Sequence, residues 1–492
     1  MGIIQNQAAK SNIYIYLGVA VGFLNSILFP RYLSTLDKGT IDAITSSALL
    51  LAAIFSLGIP MATLRLFPNF RNPEKKHHGY FSFLLIASVV GFIIGLMATF
   101  FVFKIKVPAQ NQTTFYFIVL AVAFLFRLLF NNLDVYNRML YNSTLGIMSS
   151  NLLLKLTSLI SIILFAFSII DVNGVLMMHA LALSVPGILS IFYTIFFHEK
   201  SYNFKEFKQK FNELNIKKDF IYTSVYGLMA SAGSVVILEI DKLMLLDFMS
   251  LDDVGIYATA AFFGIMVNVP SRALKSIAAV IIADSFKKND MENIKTVYQK
   301  STLNLQIVSG FLFIGILICA PYVYSFMKPE YATGISIIIY IAIAQFIDAI
   351  TSVNSDILAT SKYYKYQTIF MFLMIFLVIL LNYLLIPKYG MTGAAISTMI
   401  SISLTNIFRT VFIHVKLNMQ PFSRKNVYLL LLSVGVYIAS FFVNNWLVAS
   451  DVMHLLIMGT FITLLYWILI LSLNFSADIN SALRKMLTKF RA

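Results

Sequence analysis

The stretch STLDKG at residues 34–39 decides the fold, because a related stretch, SLDDVG, recurs at residues 250–255. Each stretch follows a long apolar run, and the Ser, Asp and Gly stand at the same offsets in both copies. The same interval separates Gly174 from Gly390, which lie before the sixth and the twelfth apolar runs. Agreement at both ends of so long a span predicts that one structural unit occurs twice in the chain.

Each copy contains six apolar runs, and an even number brings both copies into a membrane with the same orientation. Asn137 in the fourth run recurs as Asn354 in the tenth, after a slip of one residue. Two units related by an axis along the membrane normal are the parallel-repeat plan of alternating-access carriers. The repeat therefore predicts a transporter in which two bundles move against each other.

The composition is that of an integral membrane protein. The 492 residues are 59% hydrophobic and 12% charged, and a water-soluble globule of this composition would expose too much apolar surface. Apolar stretches of about 20 residues predict about fourteen transmembrane helices. The expected fold is all-α, with two six-helix bundles related by a pseudo-two-fold axis and two extra C-terminal helices.

The apolar runs divide the chain into four parts. They are a first bundle (1–200), a cytoplasmic linker (201–218), a second bundle (219–418) and a segment with the two extra helices and a basic amphipathic tail (419–492). Apolar residues recur at helical spacing among the lysines of the linker: Phe204, Phe207, Phe211 and Leu214. This pattern is typical of a helix lying on a membrane surface, and a plain solvated connector is the alternative.

Lysines and arginines concentrate in alternate loops, which predicts that both termini lie in the cytoplasm. The net charge of +15 is therefore a topology signal and a contact with anionic headgroups, and nucleic acid is not an expected partner. Cys319 is the only cysteine, so an intrachain disulfide is excluded.

Ionisable side chains inside the apolar runs are the candidate functional residues. Such a group costs about 2.5 to 3.5 kcal/mol at the bilayer centre and normally faces protein or water. Polar stripes on five helices predict a shared aqueous cavity in which cations outnumber carboxylates, and such a cavity favours an anionic substrate. The candidate cavity residues are Arg65, Arg127, Lys155, Arg272, Lys275 and Arg409.

Among these cations, Arg127, Lys155 and Arg272 lie deepest in their runs. The other three lie toward the ends of their runs. For them, a side chain that reaches the headgroups is the alternative to a cavity role.

A second set of residues is predicted to act in gating or ion coupling: Asp134, Glu239, Asp241, Lys242 and Asp348. Glu239 and Lys242 have the i, i+3 spacing of an ion pair, and a structural clamp is the alternative to a gate. For Asp348, coupling to H⁺ or Na⁺ stands against a hydrogen-bonded core carboxylate.

Pro60 and Pro270 are predicted hinges. Each is followed by a basic residue at the same offset, Arg65 and Lys275, and proline permits a bend in a helix. The interval between the two prolines is slightly shorter than that between the repeated stretches, so the prolines match the repeat only loosely.

Motifs for covalent chemistry are missing from the sequence. It contains no metal-ligand cluster, phosphate-binding glycine loop or nucleophile elbow. No cofactor is therefore expected, and the protein is not expected to be an enzyme.

Three strings of residues resemble a known family: FPRYLS at 29–34, Asp241-Lys242 followed by DVGIY at 253–257, and YGMTGAA at 389–395. With about fourteen spans, the whole chain resembles the polysaccharide-biosynthesis flippases of the multidrug/oligosaccharidyl-lipid/polysaccharide (MOP) exporter superfamily. The resemblance implies a MATE-like pair of bundles in the bacterial inner membrane. The implied substrate is an undecaprenyl-pyrophosphate-linked oligosaccharide, such as an O-antigen, capsule or exopolysaccharide unit, and the implied partners are membrane lipids and polysaccharide polymerase or assembly proteins.

Two alternatives are weaker. A multidrug or other small-molecule ion-coupled exporter of the same superfamily usually has twelve spans and an acidic site, whereas cations dominate here. A membrane polysaccharide polymerase or ligase usually carries a large outer loop with catalytic residues, but the outer loops here have about a dozen residues or fewer.

Overall fold

The part of the chain that the structure describes is built from α-helices and contains no β-strand. A computed structural model describes residues 2–106, 113–197, 201–351 and 353–481. The helices are α1 (Gly2–Tyr32), α2 (Thr35–Phe55), α3 (Ile59–Leu66), α4 (Tyr80–Lys106), α5 (Thr113–Met139), α6 (Thr144–Met148), α7 (Leu154–Ala166), α8 (Val172–Phe197), α9 (Phe204–Glu213), α10 (Lys217–Phe248), α11 (Leu251–Ile265), α12 (Val269–Lys287), α13 (Met291–Tyr324), α14 (Ile335–Ile350), α15 (Asn354–Thr360), α16 (Tyr364–Leu417), α17 (Arg424–Trp446) and α18 (Asp451–Ser472).

The two copies of the repeated stretch begin α2 and α11 in the same way. Ser34 Oγ accepts a hydrogen bond from the Asp37 backbone N–H at 3.1 Å and donates to its carboxylate at 2.6 Å. Ser250 Oγ likewise accepts from Asp253 at 3.3 Å and donates to it at 2.6 Å. Such contacts satisfy N–H groups that a helix start leaves without intrahelical partners. The repeated Ser and Asp are therefore signals for the start of a helix.

Helix α16 has 54 residues and makes two membrane spans. A straight helix of this length would measure about 80 Å, more than twice the hydrocarbon thickness of a bilayer. Gly390 interrupts it with φ +57° and ψ −139°, and Ser397 Oγ donates to the Val378 carbonyl at 3.2 Å. The residues after Gly390 therefore fold back on those before it. The described residues contain 13 helical stretches that could cross a membrane, and counting α16 twice gives the predicted fourteen spans.

The chain forms two compact units, Met1–Leu246 and Asp247–Ala492. In the first unit, α5 is central and packs against α2, α4 and α8, with Leu120 and Val175 among the fully buried core residues. Most of α10 belongs to this unit, whereas the sequence division placed α10 in the second bundle. The division into functional bundles stays a prediction.

In the second unit, α14 is central and packs against α11, α13 and α16. Helices α17 and α18 pack on α13, where Tyr466 donates to the Ile307 carbonyl at 2.9 Å. Gln306 and Asn426 exchange two hydrogen bonds there, of 2.9 and 2.7 Å. The two extra C-terminal helices are thus attached through α13. The predicted basic tail falls largely on residues 482–492, outside the described residues.

The amphipathic stretch in the linker forms α9. Its buried residue Phe207 stacks on Phe83 with ring centroids 4.3 Å apart and on Phe70 at 5.4 Å. Asn203 begins the helix by accepting a hydrogen bond from the Lys205 backbone N–H at 3.0 Å. The apolar face of α9 therefore packs on the rest of the first unit, while Lys205 and Lys208 are exposed.

Both predicted hinge prolines follow an interruption of a helix. Pro60 lies in the first turn of α3, after the break that separates it from α2. Pro270 lies in the first turn of α12, after a short 3₁₀ turn at Met266–Asn268. Proline is well tolerated there because the first N–H groups of a helix have no intrahelical acceptor. Helix breaks occur at both positions, and movement at them stays a prediction.

Candidate functional site

An intramembrane polar network joins α2 to α10 in the first unit. The Glu239 carboxylate lies 2.5 Å from the Lys242 ammonium and accepts a hydrogen bond from Ser46 at 2.7 Å. The ion pair has the i, i+3 geometry that the spacing predicts. The bond from Ser46 makes it a link between two helices, and a gating role stays a prediction.

Helix α2 contributes a second ion pair, between Lys38 and Asp42. Asp42 and Asp241 both act electrostatically on Lys242, and the Asp241 side chain is buried. Sequence reasoning missed Lys38, Asp42 and Ser46. They follow one another at intervals of one helical turn, which places them on one face of α2. This spacing is the feature of the sequence that could have identified them.

Arg127 differs from Arg138 and Lys242, the paired cations near it in the first unit. It is half-buried on α5, and its guanidinium lies 5.0 Å from the centroid of the Phe130 ring. Asp134 and Glu239 act on it electrostatically, but neither is bonded to it: Asp134 pairs with Arg138 at 2.7 Å. Within the described ranges, Arg127 has no hydrogen bond or ion pair. Its N–H donors are therefore available for a ligand.

Lys155 is held against α1. Its ammonium donates a hydrogen bond to the Gly18 carbonyl at 2.9 Å, and Gly22 leaves room for it, since a Cβ there would lie 3.2 Å from Nζ. Lys155 follows a π-helical turn at Ser149–Leu153. The observed contact links α7 to α1, and contact with substrate stays a prediction.

Asp348 is the centre of a polar cluster in the second unit. Its carboxylate accepts hydrogen bonds from Asn268 at 2.8 Å and from Asn406 at 3.0 Å. Asn268 also donates to Gln345 at 3.0 Å. The carboxylate is thus shared between three membrane segments, an arrangement that matches the hydrogen-bonded alternative for this residue. Ion coupling through it stays a prediction.

The remaining cavity candidates differ in how far their side chains are exposed. Arg409 is half-buried, its Nε has no hydrogen-bond partner among the described residues, and Asp348 acts on it electrostatically. Lys275 is half-buried, whereas Arg272 and Arg65 are exposed. The structure therefore places Arg65, Arg127 and Lys155 in the first unit, and Arg272, Lys275 and Arg409 in the second. A shared cavity stays a prediction.

No group of three or more His, Cys, Asp or Glu side chains within the described ranges could hold a metal ion. The two polar clusters are instead built from ion pairs and from amide and hydroxyl groups. The identity of a coupling ion, H⁺ or Na⁺, stays a prediction.

A comparison with known protein families shows to which family the chain belongs. A sequence model of a family described as polysaccharide biosynthesis protein matches residues 9–282, more than half of the chain. The chain belongs to this family. An uncharacterized membrane protein of Methanocaldococcus jannaschii is 20% identical to this family member over 464 residues, which cover 90% of each chain.

Solved structures of transporters share the fold of this family member. The lipid II flippase MurJ, in an inward closed conformation, has a TM-score of 0.73 at 14% identity, with 96% of this chain and 99% of MurJ covered. An inward-facing multidrug resistance MATE family transporter of the MOP superfamily has a TM-score of 0.62 at 13% identity, with 83% and 98% covered. The predicted MATE-like, multi-pass fold is confirmed, and so is the predicted polysaccharide-biosynthesis family.

Proposed function

We propose that this protein is a flippase that moves a lipid-linked oligosaccharide across the membrane by alternating access, without covalent chemistry. Membership of the polysaccharide biosynthesis family and a fold shared with a lipid II flippase over 96% of the chain support this proposal. The substrate we propose is an undecaprenyl-pyrophosphate-linked unit of O-antigen, capsule or exopolysaccharide. The membrane is the bacterial inner membrane, with both termini in the cytoplasm.

The free guanidinium of Arg127 is the observation on which the proposal depends most. A cation inside a span is costly unless an anion or water faces it. The neighbouring cations Lys242 and Arg138 are paired with carboxylates. Arg127, in contrast, contacts the Phe130 ring and donates no hydrogen bond to a described residue. A guanidinium binds phosphate oxygens with two parallel hydrogen bonds. Arg127 is therefore the residue best suited to a pyrophosphate.

The membrane potential supplies a driving force in this account. Moving one elementary charge across 100 mV is worth about 2.3 kcal/mol, so outward movement of about two negative charges gains roughly 4 to 5 kcal/mol. Polysaccharide polymerase or assembly proteins would then consume the substrate on the outer side.

A drug exporter is the other function found with this fold. The MATE transporter covers 83% of this chain, whereas the lipid II flippase covers 96%. Coverage of nearly the whole chain favours the flippase.

Reconstitution distinguishes the two functions. The protein is placed in vesicles loaded with a fluorescent polyprenyl-pyrophosphate-linked oligosaccharide, and a membrane-impermeant quencher reports which leaflet holds the glycan. We expect faster exchange between leaflets than in protein-free vesicles, and no uptake of a cationic dye. Dye uptake without glycan movement would contradict the proposal and support drug export.

A further inference from the structure

The first unit contains an apolar recess away from its charged residues. The recess has a volume of about 470 Å³ and is formed by α4, α9, α10 and the break between α2 and α3. Leu57, Ile86, Phe204, Phe220 and Leu228 are among its lining residues, and Ser224 is the only polar one among the described residues of the lining. Its volume falls in the range of sites for small molecules. The recess therefore suits an apolar guest.

Lysines stand at the end of the recess where α9 lies. Lys205 directly follows Phe204, and Lys217 and Lys218 precede Phe220 by less than one helical turn. These three lysines and Lys208 are exposed, and none has an ion pair with a described residue. Lys210, in contrast, already pairs with Glu213 at 3.2 Å. Glu206 and Asp219 lie among these four lysines, which still leaves an excess of positive charge.

An apolar recess beside exposed lysines of the amphipathic α9 and of the start of α10 matches the chemistry of an anionic lipid. Amphipathic helices with lysines on the polar face lie at the level of the lipid headgroups, and each Lys near an anionic surface adds attraction. We propose that the recess binds one acyl chain of an anionic glycerophospholipid, from the leaflet on which α9 lies. The lipid phosphate then lies among Lys205, Lys208, Lys217 and Lys218. This site is independent of the proposed transport function.

The bound chain would touch the break before Pro60. Leu57 in the recess wall has φ +55°, and Gly58 beside it has φ +68°. A Cβ on Gly58 would lie 1.8 Å from the Ser224 carbonyl oxygen of α10, so the break and α10 are in close backbone contact. A lipid in the recess therefore stabilises the contact of α4 and α10 with this break.

Fluorescence quenching tests the site in the full-length protein. Ile221, which lines the recess and is 51% exposed, is replaced in an Ile221→Trp variant that also carries Trp446→Phe and Trp467→Phe. A matched reporter uses Ile438→Trp on α17, where the residue is 48% exposed. Both are placed in vesicles with phosphatidylglycerol or phosphatidylcholine that is brominated on its acyl chains, at equal mole fractions.

From the quenching of the Trp at position 221, we expect brominated phosphatidylglycerol to associate with the recess about fivefold more strongly than brominated phosphatidylcholine. Quenching of the Trp at position 438 should show no preference between the two lipids. Changing the four lysines to Gln should abolish the preference at 221, and Ala87→Phe should fill the recess and reduce quenching by both lipids. The same changes made in the 438 reporter should leave its quenching by both lipids unchanged.

Equal quenching of the 221 reporter by the two lipids would overturn the proposal. Persistence of the preference without the four lysines would also overturn it. Displacement of brominated phosphatidylglycerol by equimolar polyprenyl phosphate would do so too, because it would assign the recess to a polyprenyl chain.

Discussion

Thr194 on α8 donates a hydrogen bond to the Asn137 side chain on α5 at 3.0 Å, and the second unit contains the same pair. There, Asn354 donates to Thr410 on α16 at 2.8 Å. The interval between the two threonines equals the interval between Ser34 and Ser250, the repeated helix starts. Both units therefore use one polar contact between corresponding helices, and the repeat extends from the helix ends into the core.

These pairs should contribute to stability in both units. In a double-mutant cycle, Asn137→Ala and Thr194→Val should show a coupling energy of about 0.6 kcal/mol, the average for hydrogen bonds between membrane helices, and at most about 1.7 kcal/mol. Asn354→Ala and Thr410→Val should show the same. The free energy of unfolding in mixed micelles measures both cycles. Thr463→Val, which removes only a bond to the Gly459 carbonyl of its own helix, is the control, and additive effects in both cycles would contradict the prediction.

Removal of Glu239 should leave the Lys242 ammonium without its partner inside the membrane. Their side chains are 13% and 20% exposed, so Glu239→Ala should lower the free energy of unfolding by about 3 kcal/mol or more. Adding Lys242→Met should restore part of this loss. Asp284→Ala breaks an exposed pair with Lys288 and should leave stability unchanged. A double variant less stable than Glu239→Ala alone would refute a compensating pair.

Gly58 should not tolerate a side chain. Gly58→Ala places a Cβ against the Ser224 carbonyl and forces alanine into the left-handed region, so we expect a loss of about 3 kcal/mol or more. Gly435→Ala is the matched control, because no atom lies within 4 Å of a Cβ there and alanine favours a helix by about 0.5 to 1 kcal/mol. If the two variants were equally stable, the result would contradict the close contact between α10 and this break.

Gly390 should be required for the turn within α16. Its φ of +57° and ψ of −139° strain any other residue, so Gly390→Ala should cost about 1 to 3 kcal/mol. Gly459→Ala, which adds a methyl group to open space on α18, should be neutral or slightly stabilising. Spin labels on the two parts of α16 would report whether they still lie together, and a stable Gly390→Ala protein with an unchanged distance would contradict this account.

Features set by neighbouring residues could be predicted from the sequence. Ser34 lies close to Asp37 in the chain, as Ser250 does to Asp253, and both pairs form caps because the partners lie within one helical turn. The same holds for the ion pair of Glu239 with Lys242 and for the amphipathic α9. In each case the periodicity of the helix brings the partners together.

Partners that are distant in the chain could not be predicted. The depth of Lys155 in its apolar run does not predict that its ammonium bonds to the Gly18 carbonyl, 137 residues away. For Asp348 the sequence allows a hydrogen-bonded core carboxylate but does not name its donors, Asn268 and Asn406, which lie 80 and 58 residues away. Such contacts depend on the way in which helices pack, and the hydrophobic pattern of a single helix does not contain that information.

The central claim is that Arg127 binds the anionic headgroup of a lipid-linked oligosaccharide. Its most direct test is the rate of glycan movement between leaflets in reconstituted vesicles for Arg127→Gln. Arg424→Gln, at an exposed position at the start of α17, is the control.

We expect Arg127→Gln to slow movement at least about tenfold, because a hydrogen bond to a charged group contributes about 1.5 to 3 kcal/mol. Arg127→Lys should keep part of the rate, since it retains the charge without the paired donors, and Arg424→Gln should move the glycan at the unmodified rate. Movement at the unmodified rate by folded Arg127→Gln would contradict the claim.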